Sequence, residues 1–258
     1  MIGFFQKDAL LGVLLLGLIL AGYDTIAQRK DSTLFFKSAL SVTNNGFSFI
    51  PSFSLGKPAA ILDIGVGNKR LSFEPQFRFA LEGRPWSFIF IYRYKLINKD
   101  RFQLRLGGHL PAFNFINEPV TMNGVDQDAI VTKRFLAGEL WPYYILNKNI
   151  AIGLYCLRGH GFDPGTTRDA TFAGFQTYFT NVNFAKFLVL TFTPQVFYLK
   201  TDNDEGVYAT YNLNVAVKNF PISVSNIINK SISTEIPNTD FSWNVSLVYS
   251  FSKDYKLR

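Results

Sequence analysis

The chain is poor in the residues that brace a fold covalently or hold a metal. Its 258 residues include one cysteine, Cys156, and two histidines, His109 and His160. A lone thiol excludes an internal disulfide framework and any Cys-cluster zinc site. Two histidines far apart in sequence offer no His-based cluster, so neither a metal nor a cofactor is expected. Charge is sparse as well: Asp, Glu, Lys and Arg make up 17%, against about 25% in ordinary soluble domains. Long apolar runs are missing beyond residue 28, where every hydrophobic stretch is broken by Arg, Lys, Asn or Pro. A transmembrane helix needs about 20 apolar residues, so none is expected there.

Aromatic residues, by contrast, reach 16% and hydrophobic residues 48%. So much apolar surface excludes a disordered chain, which would collapse. The one long apolar run, Ala9 to Gly22, follows Lys7 and leads to Thr25 and Ala27. It is short for a span and has small residues at the −3 and −1 positions of a cut after Ala27. That is the layout of a secretory signal peptide over residues 1–27. Losing Lys7, Asp8 and Asp24 with it moves the net charge from +7 to +8. An exported, basic chain is expected.

The remaining apolar stretches alternate with period two, the mark of strands with two unlike faces. In Arg70–Glu82, Leu71, Phe73, Phe77, Phe79 and Leu81 oppose Ser72, Glu74, Gln76, Arg78 and Glu82. In Trp86–Leu96 the even positions are Trp86, Phe88, Phe90, Tyr92, Tyr94 and Leu96. In the last strand Phe241, Trp243, Val245, Leu247, Tyr249 and Phe251 oppose Ser242, Asn244, Ser246 and Ser250. A soluble barrel points its apolar face inward; a transmembrane barrel reverses the sense, with the apolar band on lipid and the polar face in the lumen. Strand length, aromatic crowding and export together favour the second. The fold class expected is all-β, an antiparallel up-and-down transmembrane barrel of about 12 strands.

The strands are expected at 47–55, 59–67, 70–82, 86–97, 101–110, 129–146, 150–158, 170–181, 184–200, 207–218, 221–230 and 239–251. Residues 28–46 fall outside this set as a periplasmic or plugging segment, 47–251 form the barrel, and 252–258 are a tail. Short Asn/Lys-rich turns, such as Asn98-Lys99-Asp100 and Asn147-Lys148-Asn149, fall on one side. The long loops 111–128, 159–169, 201–206 and 231–238 fall on the other. In outer-membrane barrels the long loops face outward, which puts both termini in the periplasm. Prolines 51, 75, 142 and 194 interrupt strands, so bulges are expected there.

The carboxyl-terminal strand, ending Val248-Tyr249-Ser250-Phe251, resembles the terminal signal that the barrel-assembly machinery reads in bacterial outer-membrane proteins. The resemblance implies a role in assembly for Trp243, Tyr249 and Phe251, although Ser252–Arg258 follow. The cut after Ala27 and the Asn/Lys-rich turns resemble exported proteins of Bacteroidota. No specific functional family follows from either resemblance.

Chemistry belongs on the polar faces. One wall carries Arg70, Arg78, Arg93, Lys95, Arg101 and Arg105 against Glu74 and Glu82; the facing wall carries Thr210, Asn212, Asn214, Ser242, Asn244 and Ser246. Rings of Arg and Lys favour anions, which points to a narrow channel for small anionic solutes. The same charges also suit a closed structural barrel, with Glu74 opposite Lys95 and Gln76 opposite Arg93, or an accessory subunit of a larger outer-membrane complex. A lipid hydrolase would need a Ser–His pair with a polar third member; Ser87, His109 and Glu82 are the candidates. The expected partners are outer-membrane lipid, lipopolysaccharide, the assembly machinery and other outer-membrane proteins. Nucleic acid is not among them, because the aromatics lie on the apolar face.

Overall fold

A computed structural model describes residues 33–122, 125–237 and 239–256, with 122, 125 and 126 described in backbone only. The expected signal peptide lies outside the described residues. Twelve strands run in sequence: β1 Thr33–Thr43, β2 Ala59–Gly67, β3 Leu71–Ala80, β4 Pro85–Asn98, β5 Phe102–Met122, β6 Val125–Ile145, β7 Ile150–Gly161, β8 Asp169–Asn183, β9 Leu188–Thr201, β10 Asp204–Val217, β11 Ile222–Thr234 and β12 Phe241–Lys256. Each pairs antiparallel with its neighbours, and β1 pairs with β12 to close the barrel. Closure removes the free edges of the wall, and only the outer part of the β5–β6 hairpin, beyond Asn114 and before Phe135, is paired on one side alone.

Tyr92, Tyr94, Leu96, Trp243, Leu247 and Tyr249 point outward and are exposed, while Glu74, Gln76, Arg93 and Lys95 line internal cavities. This inside-out polarity is that of a transmembrane barrel. The connections 68–70, 99–101, 146–149, 184–187 and 218–221 cluster at one end with both strand termini. Loops 44–58, 162–168 and 235–240 lie at the other.

The expected total of twelve strands is observed, but through an exchange. Residues 33–43, expected outside the wall, form β1, with Leu40 paired to Tyr249 and to Leu62. Phe35 faces inward beside Lys37, which blurs the alternation that marks the other strands. Residues 47–55, expected as the first strand, instead make a strap with a single 3-10 turn at Pro51–Phe53. Pro51 has no donor to give a ladder, and Phe49 and Phe53 gain more by burial than by lying on the wall.

Three further expectations change. Residues 111–128 are not a loop: β5 and β6 continue as one hairpin, paired from Phe102↔Tyr144 to Met122↔Val125. The tail is not separate, because β12 continues past Phe251 to Lys256, which pairs with Thr33. Prolines 75, 142 and 194 cause no bulge. The ladder lapses beside each, yet register is kept, as with Asp63↔Gln76 and Val66↔Phe73 around Pro75. The bulge between His109 and Ala112 holds Pro111 instead.

Polarity inside the barrel is also less uniform than period two implies. Trp86 does not face lipid; it is buried, and its Nε1 donates to the Phe53 carbonyl at 2.8 Å. Around the strap, inward-facing Leu157, Phe172, Phe197, Leu199 and Tyr208 form a core with Phe49. A second group joins Phe53, Ile89, Ile91, Ala112 and Phe135.

Candidate functional site

The lumen holds two chambers of opposite character, and the strap lines only the one toward the long loops. Toward the short turns lies a cavity of about 700 Å³ lined by Lys37, Arg70, Arg93, Lys95 and Arg105, with Asp63 and Glu74. Toward the long loops lies one of about 340 Å³ lined mainly by Ile89, Ile91, Phe135, Leu157, Phe172 and the strap residues Phe49 and Phe53. Gln76 and Arg93 line both, so they form the layer between the chambers. The upper chamber extends as far as Thr167 in loop 162–168.

Arg93 is the centre of that layer. Its Nε donates to Glu139 Oε1 at 2.5 Å, Nη2 donates to Glu139 Oε2 at 3.2 Å, and Nη1 donates to Glu74. The Tyr155 hydroxyl donates to Glu139 Oε2 at 2.7 Å, and His109 Nε2 lies 3.4 Å from the same oxygen. Buried charges persist when paired and hydrogen-bonded in this way. Arg105 lies 4.9 Å from the Trp141 ring centre and donates through Nη2 to the Tyr143 hydroxyl at 2.7 Å. Arg78 sits 5.2 Å from the Trp86 ring centre and donates to Gln76 Oε1 at 2.8 Å. Planar guanidinium groups stack on rings and keep their charge.

Not every residue of the expected basic wall takes part. Arg101 is exposed in the turn before β5, and Arg70 stands exposed at the short-turn mouth. Lys95 lines the lower chamber beside Arg105, its partner across the β4–β5 ladder. The expected register slips: Ser72, not Gln76, lies opposite Arg93, and Ile91, not Lys95, is the true partner of position 74. The turn after β3 spans 81–84, placed earlier than the alternation suggests, and this moves every pairing between β3 and β4. Arg93 still reaches Glu74 diagonally.

Ser87, His109 and Glu82 do not converge. Ser87 is fully buried and pairs with Arg78 and Asn114, whereas His109 pairs with Ile91. Four residues along β4 separate them by about 13 Å at 3.3 Å per residue. Glu82 lies exposed in the turn, 3.6 Å from Arg84 Nε. The residue that His109 does meet, Glu139, escapes the period-two pattern because β6 mixes Lys133, Phe135, Glu139 and Trp141 on one face. Trp243, Tyr249 and Phe251 all point outward and are exposed.

The upper rim is held by ionic contacts. Lys133 Nζ donates to Glu118 Oε2 and to the Pro164 carbonyl, each at 2.9 Å. Asp163, in loop 162–168, accepts from the Arg134 backbone at 2.6 Å and from Arg134 Nη2 at 2.6 Å. Those hydrogen bonds hold its carboxyl down at about 2.

No family model matches the chain, and neither does any curated protein. Among solved structures, the KdgM porin in complex with disordered oligogalacturonate aligns over 84% of this chain and 99% of its own, with a TM-score of 0.53 and 10% identity. The translocator domain of the autotransporter NalP from Neisseria meningitidis aligns over 98% of both chains, with a TM-score of 0.50 and 10% identity. At such identity the likeness is one of fold. By architecture the chain is therefore a twelve-stranded barrel of the outer-membrane kind.

Proposed function

We propose that the protein is a narrow passage for small anionic solutes in a bacterial outer membrane. The observation that carries this reading is the lower chamber, where five cationic side chains face two carboxylates. A surplus of fixed positive charge in a low-dielectric wall concentrates anions. The porin among the similar folds was solved with oligogalacturonate, which is consistent with acidic solutes in a barrel of this shape. In this reading the short turns and both strand termini face the periplasm, and the long loops face outward toward lipopolysaccharide. The exposed Trp243, Tyr249 and Phe251 serve recognition by the assembly machinery.

Planar-bilayer recordings under a KCl gradient test the proposal. Channels with a reversal potential on the anion side are expected, moving toward zero when Lys37 and Lys95 are both changed to Gln. Current that never leaves baseline rejects the passage. A second reading, a closed subunit of a larger outer-membrane assembly, is favoured by the strap and by the saturated Arg93–Glu74–Glu139 network. Isolation in gentle detergent as a lone monomer would count against that reading.

A further inference from the structure

The upper chamber combines an apolar wall with a cationic floor and has no carboxylate in its own lining. Among the described residues lining it there is no Asp or Glu, whereas Arg78 and Arg93 both border it. Arg93 is already met by Glu74 and Glu139. Arg78 touches no carboxylate: it donates to the neutral Gln76 Oε1, while its Nε is buried without a protein partner. Asp63, which pairs with Gln76 across the ladder, lines the other chamber and attracts Arg78 through space without a hydrogen bond to it. On the upper chamber's wall, Gln195 is buried with Nε2 also unpartnered. Buried donors without acceptors are uncommon and require an explanation.

We infer that this chamber binds an amphipathic monoanion of the medium-chain fatty-acid class. Its carboxylate pairs with Arg78, whose guanidinium lies over the Trp86 ring, and its apolar body lies among Ile91, Phe135 and Phe172. The guanidinium fork suits a carboxylate, and the ring contact helps hold it in place before the ligand arrives. Gln195 adds a neutral donor. The volume of about 340 Å³ falls at the small end of ligand pockets, about 300–1,000 Å³, which excludes a full phospholipid. The inference builds on the reading of the lumen as a route for anions and narrows the solute to one with an apolar body.

The test is calorimetric titration of the full chain in phosphatidylcholine nanodiscs with decanoate, acetate and 1-decanol, with empty nanodiscs subtracted. Decanoate is expected to saturate at one site per barrel, with acetate and 1-decanol at least tenfold weaker. Arg78→Gln should weaken decanoate at least tenfold and Arg78→Lys less. Ala137→Phe, which fills the chamber without touching the charge, should abolish binding. Heat-modifiable gel mobility verifies that each variant is folded. Decanoate binding no tighter than 1-decanol or acetate, or binding unaltered in folded Ala137→Phe, overturns the inference. Anion-selective current without decanoate binding sinks the inference alone; variant-sensitive decanoate binding without any current sinks the passage alone.

Discussion

Arg93 on β4 and Glu139 on β6 join at 2.5 Å across the intervening strand β5, directly above Gly107. Gly107 pairs with both residues, and it is the absence of its side chain that lets them meet. A Cβ there would lie 2.8 Å from Glu139 Cγ and 2.8 Å from the Tyr92 carbonyl. The layer between the chambers therefore depends on a residue with no side chain.

Gly107→Ala should displace Glu139 and loosen its grip on Arg93. Overpacking of this kind costs about 1–3 kcal/mol. Urea unfolding in lipid vesicles, read by gel mobility, should show that loss; a midpoint equal to the parent's would contradict the steric argument.

Glu139→Gln leaves Arg93 with Glu74 as its remaining carboxylate. Breaking a buried pair costs about 3–5 kcal/mol, and the lower end applies because Arg93 is partly solvated. The same change removes a negative charge from the constriction, so the reversal potential should move further to the anion side. An unchanged reversal potential would show that Glu139 does not border the route.

Phe53→Ala tests the strap. Phe53 packs on Phe135 with ring centres 4.7 Å apart and offers its carbonyl to Trp86. Truncating a buried Phe costs about 3–5 kcal/mol. With the strap loosened, single-channel conductance should rise by twofold or more; an unchanged value would mean that the strap does not narrow the route.

Asp163 makes the long-loop rim sensitive to acid. Its folded carboxyl titrates at about 2, lowered chiefly by Arg134, against an unfolded value of about 3.9. A depressed value means that the contact's contribution is present above the unfolded value and lost as pH falls through about 2. Carbon-13 NMR of the Asp163 carboxyl should give a midpoint near 2, rising toward the ordinary value in Arg134→Gln. A midpoint near 4 in the parent would show that the clamp is open in solution.

Barrel class and strand number were legible because a wall between lipid and lumen imposes period two along each strand. Phe73, Phe77 and Tyr92 against Glu74, Gln76 and Arg93 carry that signal without any knowledge of partners. The strap was not legible, since Phe47 and Phe49 alternate like strand residues until Pro51 ends the pattern. Strand β1 was hidden for the converse reason: Phe35 points inward beside Lys37, against the expected polarity.

Local alternation, set by the geometry of an extended chain, was thus enough to determine the kind of protein and the two faces of most strands. Register was decided only by the closed barrel, because a turn placed two residues earlier moves every pairing of β3 with β4. That closure brought Glu139 to Arg93, parted Ser87 from His109 and folded the strap over Trp86. Such contacts span distant strands, and nothing in the spacing of neighbouring residues encodes them.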